Sequence, residues 1–555
     1  MASHVSRRAV LGGIAAAGAG AVVLSSCGTS GSADPNPTGS GSGTTGGSGG
    51  SGLPHHIPFT GVTADFPGSP DGALDAFANY PTDPVAITDG APGDGNPITA
   101  LTSPQGTVPA PMGDNPFWQE LNTRLGSQMD LTLVNTDYDS KLATTVAGGD
   151  LPDLVSVPYN TPARRADKAG MFNAVALDLS EYLAGDKIEA YPALANIPTP
   201  AWEMASFDGV VRAVPIHRGL ASSFYMMVRQ DICDEQGIEV DVTDYESLLD
   251  LCVAMTRPEE NQFALARNPM SYLKGMFRVP VTWELNDDGT LTHELEFRDE
   301  YHGALNAAKE LYDAGTFHPD WTTSGIQGAL HDGFYGGSGL MTIHSHLAIT
   351  AAYAANTDVE GFKVGVLGFP GHDGGDGTPR RGHPKEVHSL CFINNDSADR
   401  AETILGVLNM LAAPFGTSEY LFNKFGREGE EHSLNGSNPV VNEDSVNNVR
   451  LGQQYLADGP QVVYMPGREA DEVQAVHDAQ AQLGAIGVYD PTFGLTSETE
   501  DATGANFSTS LSDMENEVIQ GRRSIADWDA LVDGWLAGDG ATIKAEYEEA
   551  LANSQ

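Results

Sequence analysis

The sequence predicts an α/β fold in which a mostly parallel sheet is covered by helices on both faces. Between residues 98 and 157 the predicted elements alternate as strand, helix, strand, helix and strand, an order that is typical of parallel strands joined by crossover helices. With 555 residues the chain is long enough for two or more domains. Its apolar fraction of 40% is ordinary for a globular protein, so we do not expect disorder throughout.

The charge balance bears on the partners of the protein. The formal net charge is −46, from 29 basic and 75 acidic residues, and the chain has no long basic cluster. Because nucleic-acid binding depends on lysine and arginine to neutralise phosphates, we expect no nucleic-acid partner. The acidity predicts a well-solvated surface, with a cation-binding role as the alternative.

The first 27 residues have the pattern of an export signal. Arg7 and Arg8 precede an apolar stretch over residues 9–24, which ends at Leu24-Ser25-Ser26-Cys27. This resembles a twin-arginine signal joined to a lipoprotein cleavage box, and the resemblance implies that Cys27 is lipidated. The general secretory route is an alternative, and so is an uncleaved membrane helix, although the apolar run is short for spanning a bilayer.

Two segments without regular structure are predicted to follow the signal. Residues 28–52 are almost entirely Gly, Ser, Thr, Pro and Ala, a composition that behaves as a flexible tether. Residues 53–95 are rich in Pro, Asp and Gly with isolated aromatic positions, which predicts an irregular arm on the folded body. Together, residues 28–95 would hold that body away from a membrane.

Regular structure is predicted from residue 98 onward, with capping residues marking the helices. Asn115 is an N-cap followed by Pro116, and Gly126 ends the same helix. Gly148 and Gly149 supply left-handed residues at the end of the next helix. The five elements are strand 98–101, helix 116–125, strand 129–134, helix 138–148 and strand 154–157.

Later segments add capping and turn signals. Thr243 and Glu246 predict a capping box, and Asp288-Gly289 predicts a hairpin turn. Residues 339–343 and 387–393 are predicted as strands. Cys233 and Cys252 are either bridged or two buried free thiols.

Four motifs resemble those of the extracellular solute-binding proteins that deliver ligands to ABC importers. They are Gly148-Gly149-Asp150-Leu151-Pro152-Asp153, the turn Asp208-Gly209 before a strand ending at Pro215, Arg229-Gln230-Asp231, and Phe425-Gly426-Arg427-Glu428-Gly429. The resemblance covers residues 97–550 and is strongest to the large, lipid-anchored carbohydrate-binding members.

The resemblance implies a periplasmic-binding-protein-like clamp of type II, in which each of two lobes is a mixed sheet flanked by helices. Lobe 1 would comprise 96–225 with part of 345–395. Lobe 2 would comprise 226–344 with part of 396–555.

Candidate ligand-binding residues follow from this architecture, because ligands bind beyond the carboxyl ends of strands in open α/β sheets. A sugar needs flat aromatic walls and paired hydrogen-bonding groups. Residues of these types at strand ends are Tyr159, Asn160, His217, Arg218, His344 and His346, and in nearby loops Trp202, Trp283 and Tyr464.

The His344-Ser345-His346 segment admits three interpretations. On a continued strand both imidazoles would point to the same side, as in many metal sites. Hydrogen bonding in the cleft and packing in the core are the alternatives. No Asp, Glu or Cys lies close in sequence to complete a metal shell, so we predict no metal here.

The chain lacks the motifs of common catalytic sites. There is no G-x-S-x-G outside the Gly/Ser-rich tether and so no nucleophile elbow, no H-E-x-x-H or phosphate loop, and no G-x-G-x-x-G after a strand. We therefore expect a binding protein without enzymatic activity or cofactor. The resemblance implies a monomeric lipoprotein on the outer face of the cytoplasmic membrane that captures an oligosaccharide for ABC transporter permease subunits.

Four other functions stay open at this point. The first two are a secreted glycan-processing enzyme and a surface lectin. The others are ABC binding proteins for a peptide or for a metal.

Overall fold

The computed structural model describes residues 52–69, 72–104, 106–159, 168–323, 329–355, 359, 361–442 and 444–554. Arg7, Arg8, Cys27 and the tether lie outside the described residues, as does Asn160. The strands are β1 (Ala76–Phe77), β2 (Ile98–Thr102), β3 (Met129–Leu133), β4 (Leu154–Pro158), β5 (Ser206–Phe207), β6 (Val210–Val211), β7 (Val214–His217), β8 (Phe224–Arg229), β9 (Phe263–Leu265), β10 (Trp283–Leu285), β11 (Leu291–His293), β12 (Gly339–Ser345), β13 (Val364–Leu367), β14 (Val387–Ile393), β15 (His432–Asn435), β16 (Asn438–Val441) and β17 (Val463–Tyr464).

Helices surround these strands, and several short 3-10 turns connect them. The α-helices are α1 (Pro116–Leu125), α2 (Tyr138–Gly148), α3 (Lys168–Val175), α4 (Ser180–Leu183), α5 (Pro192–Ala195), α6 (Thr199–Met204), α7 (Gln230–Gln236), α8 (Tyr245–Met255), α9 (Met270–Met276), α10 (Arg298–Asp313), α11 (His346–Ala355), α12 (Ala401–Leu411), α13 (Ser418–Phe425), α14 (Ala470–Ile486), α15 (Glu498–Ile519), α16 (Ile525–Leu536) and α17 (Asp539–Ser554). A π-helix spans Ala329–Tyr335.

The first sheet has the order β3-β2-β4-β14-β7 and forms the centre of lobe 1. Strand β2 is parallel to β3 and β4, as the alternation of strands and helices predicts. Strand β14 enters antiparallel between β4 and β7. Asn115 caps α1 by accepting the Trp118 N–H, and Gly126 ends it with a φ of 70°, so the capping prediction is confirmed.

The second sheet has the order β13-β8-β12-β9 and forms the centre of lobe 2. Strand β8 is antiparallel to both β12 and β13, whereas β9 is parallel to β12. The buried residues around this sheet form a hydrophobic core separate from that of lobe 1. Two mixed sheets with separate cores, each flanked by helices, confirm the predicted fold class.

The chain passes between the lobes at three places. Residues 218–223 lead from β7 to β8, residues 368–386 lead from β13 back to β14, and residues 456–469 lead into α14. Helices α14, α15 and α16 then contribute side chains to the core of lobe 2. The N-terminal arm adds β1, which pairs in parallel with β17 inside the third crossing.

The structure differs from the sequence predictions at two local features. The capping box before α8 joins Asp244 to Ser247, not Thr243 to Glu246, because Asp244 adopts the extended backbone that an N-cap requires. The predicted strand over 210–215 is divided into β6 and β7. Cys233 and Cys252 are buried free thiols, which excludes the bridged alternative in this structure.

Within the described residues, each helix falls short of the length or the apolar content that a bilayer-crossing segment requires.

Candidate functional site

The carboxyl edge of the lobe 1 sheet brings several polar residues together. Strand β4 ends at Pro158 and β7 ends at His217, and the antiparallel β14 begins at Val387 beside them. The register between β14 and β7 shifts between Val387 and Ser389, which leaves His388 in a bulge. Bulges redirect a side chain out of the regular ladder, and His388 is exposed to solvent whereas its two neighbours are buried.

His388 and Tyr455 form a flat platform at this edge. Their rings are stacked with centroids 4.7 Å apart and an interplanar angle of 17°. Burial lowers the pKa of His388 to about 4, with a smaller contribution from Arg218. The predicted candidates did not include either ring, since a bulge has no clear sequence signal.

Charged groups lie next to the platform. Asp458 is 4% exposed, and its carboxylate accepts from Lys424 Nζ at 2.6 Å and from Arg218 Nη1 at 3.5 Å. The Arg218 side chain is 11% exposed, and its Nη1 also donates to the His217 carbonyl at 3.2 Å. Arg218 therefore lies where the sequence predicted it, and its charge is only partly compensated by a shared carboxylate.

His217 is held by the first and second crossings. Its Nε2 donates to the Pro384 carbonyl at 3.0 Å. Burial lowers the pKa of His217 to about 4, so the imidazole is neutral near pH 7 with one nitrogen committed to the backbone. This hydrogen bond ties the end of β7 to the second crossing.

A loop from lobe 2 contacts lobe 1 beside Tyr159. This loop, residues 487–497, connects α14 to α15. Its Phe493 ring lies 5.8 Å from the Tyr159 ring and stacks on His383 at 4.7 Å. Tyr489 of the same loop meets His383 edge-on at 4.6 Å. Tyr159 is buried by this aromatic group, which joins the two lobes.

The carboxyl edge of the lobe 2 sheet faces the first crossing. Ser345 at the end of β12 is paired with Phe224 at the start of β8, where the chain arrives from lobe 1. His344 is half-buried at this edge, with its Nδ1 accepting the Ser345 N–H at 2.8 Å. The parallel strand β9 ends at Leu265 on the same edge, and Arg267 lies two residues beyond it.

Four predicted site residues are enclosed in hydrophobic cores. Trp202 is 0% exposed in lobe 1, and Trp283 packs against His293 and Tyr547. Tyr464 is enclosed beside Phe415, and its hydroxyl donates to Asn438 Oδ1 at 2.9 Å. These side chains are buried because the helices and the arm that cover them come from distant parts of the sequence. We therefore withdraw Trp202, Trp283 and Tyr464 from the candidate site.

His346 is the fourth enclosed residue. Strand β12 ends at Ser345 and His346 begins α11, so His344 and His346 do not alternate along one strand face. His346 is 1% exposed, and burial lowers its pKa to about 4. This placement supports the packing interpretation for His346. Among the described residues, no group of three or more His, Cys, Asp or Glu side chains is arranged to hold a metal ion.

Comparison with known proteins gives one family. The model of the bacterial extracellular solute-binding protein family matches residues 129–408, about half of the chain. No curated protein matches the chain.

Solved structures show the same fold at low sequence identity. The N-glycan transport solute binding protein NgtS from Streptococcus pneumoniae has a TM-score of 0.58 at 14% identity, covering 83% of this chain and 100% of its own. A human-milk-oligosaccharide (HMO) binding ABC-transporter associated solute binding protein from Bifidobacterium longum infantis has a TM-score of 0.55 at 16% identity, covering 82% and 99%. The alginate-binding protein AlgQ2 has a TM-score of 0.56 at 14% identity, covering 84% and 99%. The TM-scores above 0.5 establish a shared fold.

Proposed function

Because the chain belongs to the bacterial extracellular solute-binding protein family, we propose that it captures an oligosaccharide between its two lobes for an ABC importer. The ligand class is supported by the similar structures, which are those of an N-glycan transport protein, an HMO-binding protein and an alginate-binding protein. The protein acts by reversible binding and leaves the sugar chemically unchanged.

The platform of His388 and Tyr455 is the observation that carries this proposal. A sugar ring presents an apolar face that stacks on an aromatic surface and a rim of hydroxyls that needs donors and acceptors. The stacked rings of His388 and Tyr455 provide the aromatic surface, and Arg218 with Asp458 provides the hydrogen-bond donors and acceptors. All four side chains lie at the carboxyl edge, where open α/β sheets bind ligands.

Closure of the lobes couples binding to transport in this proposal. A ligand that contacts both carboxyl edges is held by more groups in the closed state than in the open state, so it shifts the population towards closure. A micromolar dissociation constant would correspond to about −8 kcal/mol. The permease subunits of the importer would then recognise the closed form.

The cellular location is a further part of the proposal. Lipidation at Cys27 would hold a monomer on the outer face of the cytoplasmic membrane, with residues 28–52 as the tether. Mass spectrometry of the mature N-terminus tests this directly, since it would show a lipid on Cys27. As a second test, Cys27→Ser should release the protein from the membrane. Cleavage at another position would contradict the lipid anchor.

We expect binding of an oligosaccharide to raise the melting temperature of the purified protein, since a ligand that binds only the folded state stabilises it by mass action. A thermal-shift screen over neutral and acidic glycans provides the measurement. A shift with peptides or divalent metals but with no glycan would overturn the ligand class. Release of shorter products from a glycan would overturn the binding role.

Replacing Tyr455 by alanine should weaken binding of the glycan found in that screen by about 10-fold, or about 1.4 kcal/mol, because one side of the platform is lost. Isothermal titration measures this change. Tyr182→Ala is the matched control, because Tyr182 is a half-buried tyrosine of lobe 1 that lies near β6 and away from the carboxyl edge. Equal affinities for the two variants would remove Tyr455 from the site.

A further inference from the structure

Arg267 lies at the carboxyl edge of lobe 2. It comes two residues after β9, and the Ala266 N–H donates to the Met341 carbonyl at 2.9 Å, which continues the parallel pairing with β12. The printed register ends with Leu265 opposite Met341, and residues 266 and 267 form a bend just beyond the end of β9. Arg267 therefore lies at the edge where β8 enters from lobe 1.

The Arg267 guanidinium has no hydrogen-bond or ion-pair partner within the described part of the chain. The side chain is half-buried, and desolvation, without any opposing charge, lowers its pKa. A partly desolvated arginine that lacks a partner is unfavourable for the unbound protein. None of the described carboxylates pairs with Arg267, although the chain has 75 acidic residues.

The facing edge of lobe 1 also carries positive charge. Arg218 and Lys424 share the single carboxylate of Asp458, so these three groups have a net charge of +1. With Arg267, these four groups have a net charge of +2 in a protein whose net charge is −46. Such a local reversal of sign favours a negatively charged ligand.

We propose that the captured glycan carries an anionic substituent, a carboxylate or a sulfate, and that Arg267 is its counter-ion. This inference rests on the proposed function, since it specifies the ligand of the same cleft. Arginine suits this task because its planar guanidinium forms two parallel hydrogen bonds to a carboxylate or sulfate. The sugar rings would lie on the platform of His388 and Tyr455, and the charged substituent would reach lobe 2.

The proposal gives Arg267 a role that differs from structural support. If the guanidinium is unpaired in the absence of ligand, Arg267→Gln should leave the melting temperature of the unliganded protein unchanged or raise it. The same substitution should weaken binding of an acidic glycan by 10-fold to 100-fold and leave a neutral analogue unaffected. Arg267→Lys keeps the charge but loses the paired hydrogen bonds, so its affinity should be intermediate.

The test uses the mature protein without its signal and three glycan sets that differ in charge. These are galactotriose with trigalacturonate, lactose with 3′-sialyllactose, and neutral with sulfated galactose disaccharides. Isothermal titration at 50 mM and 300 mM NaCl would measure each affinity for the unsubstituted protein, Arg267→Gln and Arg267→Lys. Arg124→Gln is the matched control, because Arg124 lies at the end of α1 in an ion pair with Glu120, remote from both carboxyl edges.

We expect the acidic member of at least one set to bind more tightly than its neutral partner, with a preference that falls with salt and is lost in Arg267→Gln. The carboxylated and sulfated sets then identify the substituent. If neutral members bind as well as acidic ones, or if Arg267→Gln keeps the preference, the inference is wrong and the proposed function stands. If no glycan of any set binds, the proposed function fails and the inference fails with it.

Discussion

Replacing Trp202 by alanine should lower the free energy of unfolding by about 3 to 5 kcal/mol, which is the usual cost of removing a large buried aromatic side chain. Trp202 lies in α6 and is 0% exposed in the core of lobe 1. The loss combines the transfer of the indole from the core with the cavity that is left behind. Denaturant unfolding followed by circular dichroism measures this change.

The control for Trp202 is phenylalanine. The indole N–H of Trp202 has no hydrogen-bond partner among the described residues, so Trp202→Phe removes an unpaired donor and leaves a smaller cavity. It should therefore cost much less than Trp202→Ala. In both variants the folded fraction should bind glycan as the unsubstituted protein does. A loss of affinity in Trp202→Phe without a loss of stability would return Trp202 to the ligand site.

Lowering the pH from 6.5 towards 4 should destabilise the protein, and His293 should contribute up to about 3 kcal/mol of that loss. His293 is 7% exposed between the rings of Trp283 and Trp535, and its Nδ1 accepts the Leu295 N–H at 3.2 Å. Burial lowers the pKa of His293 from 6.5 to about 4. Protonation would place a charge in this core and break the hydrogen bond to Leu295.

The sign of the effect follows from the direction of the pKa change. Because the pKa of His293 is lower in the folded protein than in the unfolded chain, its contribution is fully present above pH 6.5 and is lost as the pH falls to about 4. Asp490 has the opposite effect on the pH dependence of stability, since burial raises its pKa to about 6. Its contribution is lost as the pH rises from about 4 through 6.

Comparison with His293→Asn isolates the contribution of His293 to the pH dependence of the free energy of unfolding. Asparagine can still accept the Leu295 N–H as an N-cap residue, but it does not titrate. The unfolding free energies of the two proteins at pH 7.0, 5.5 and 4.5 should therefore converge as the pH falls. Parallel curves over this range would show that His293 does not control the acid sensitivity.

The sequence predicted those features that depend on a few neighbouring residues. Asn115, Pro116 and Gly126 set the bounds of α1, because an N-cap acceptor, a preformed φ and a left-handed residue act within one or two turns. The hairpin at Asp288-Gly289 is likewise confirmed, with Gly289 at a φ of 84°. The predicted capping box before α8 is displaced by one residue from the observed one. Thr243 and Asp244 are both good N-cap residues, and only the backbone conformation selects between them.

The proposed ligand site follows from the sequence less completely than the fold does. Strand ends gave Arg218 and His217 because the carboxyl-edge rule needs only the order of the strands. The platform was missed, since His388 is exposed through a bulge and Tyr455 reaches it from a segment 67 residues away.

By itself the sequence determined the α/β fold, the order of the elements and the family resemblance, because periodicity, caps and turns are encoded locally. Only the tertiary structure decided which aromatic rings are buried in a core and which lie at the carboxyl edge. Trp202 and Tyr455 are equally aromatic, but one is enclosed in the core of lobe 1 and the other stacks on an exposed imidazole. Burial is set by what packs over a side chain, and that depends on contacts between residues distant in the sequence.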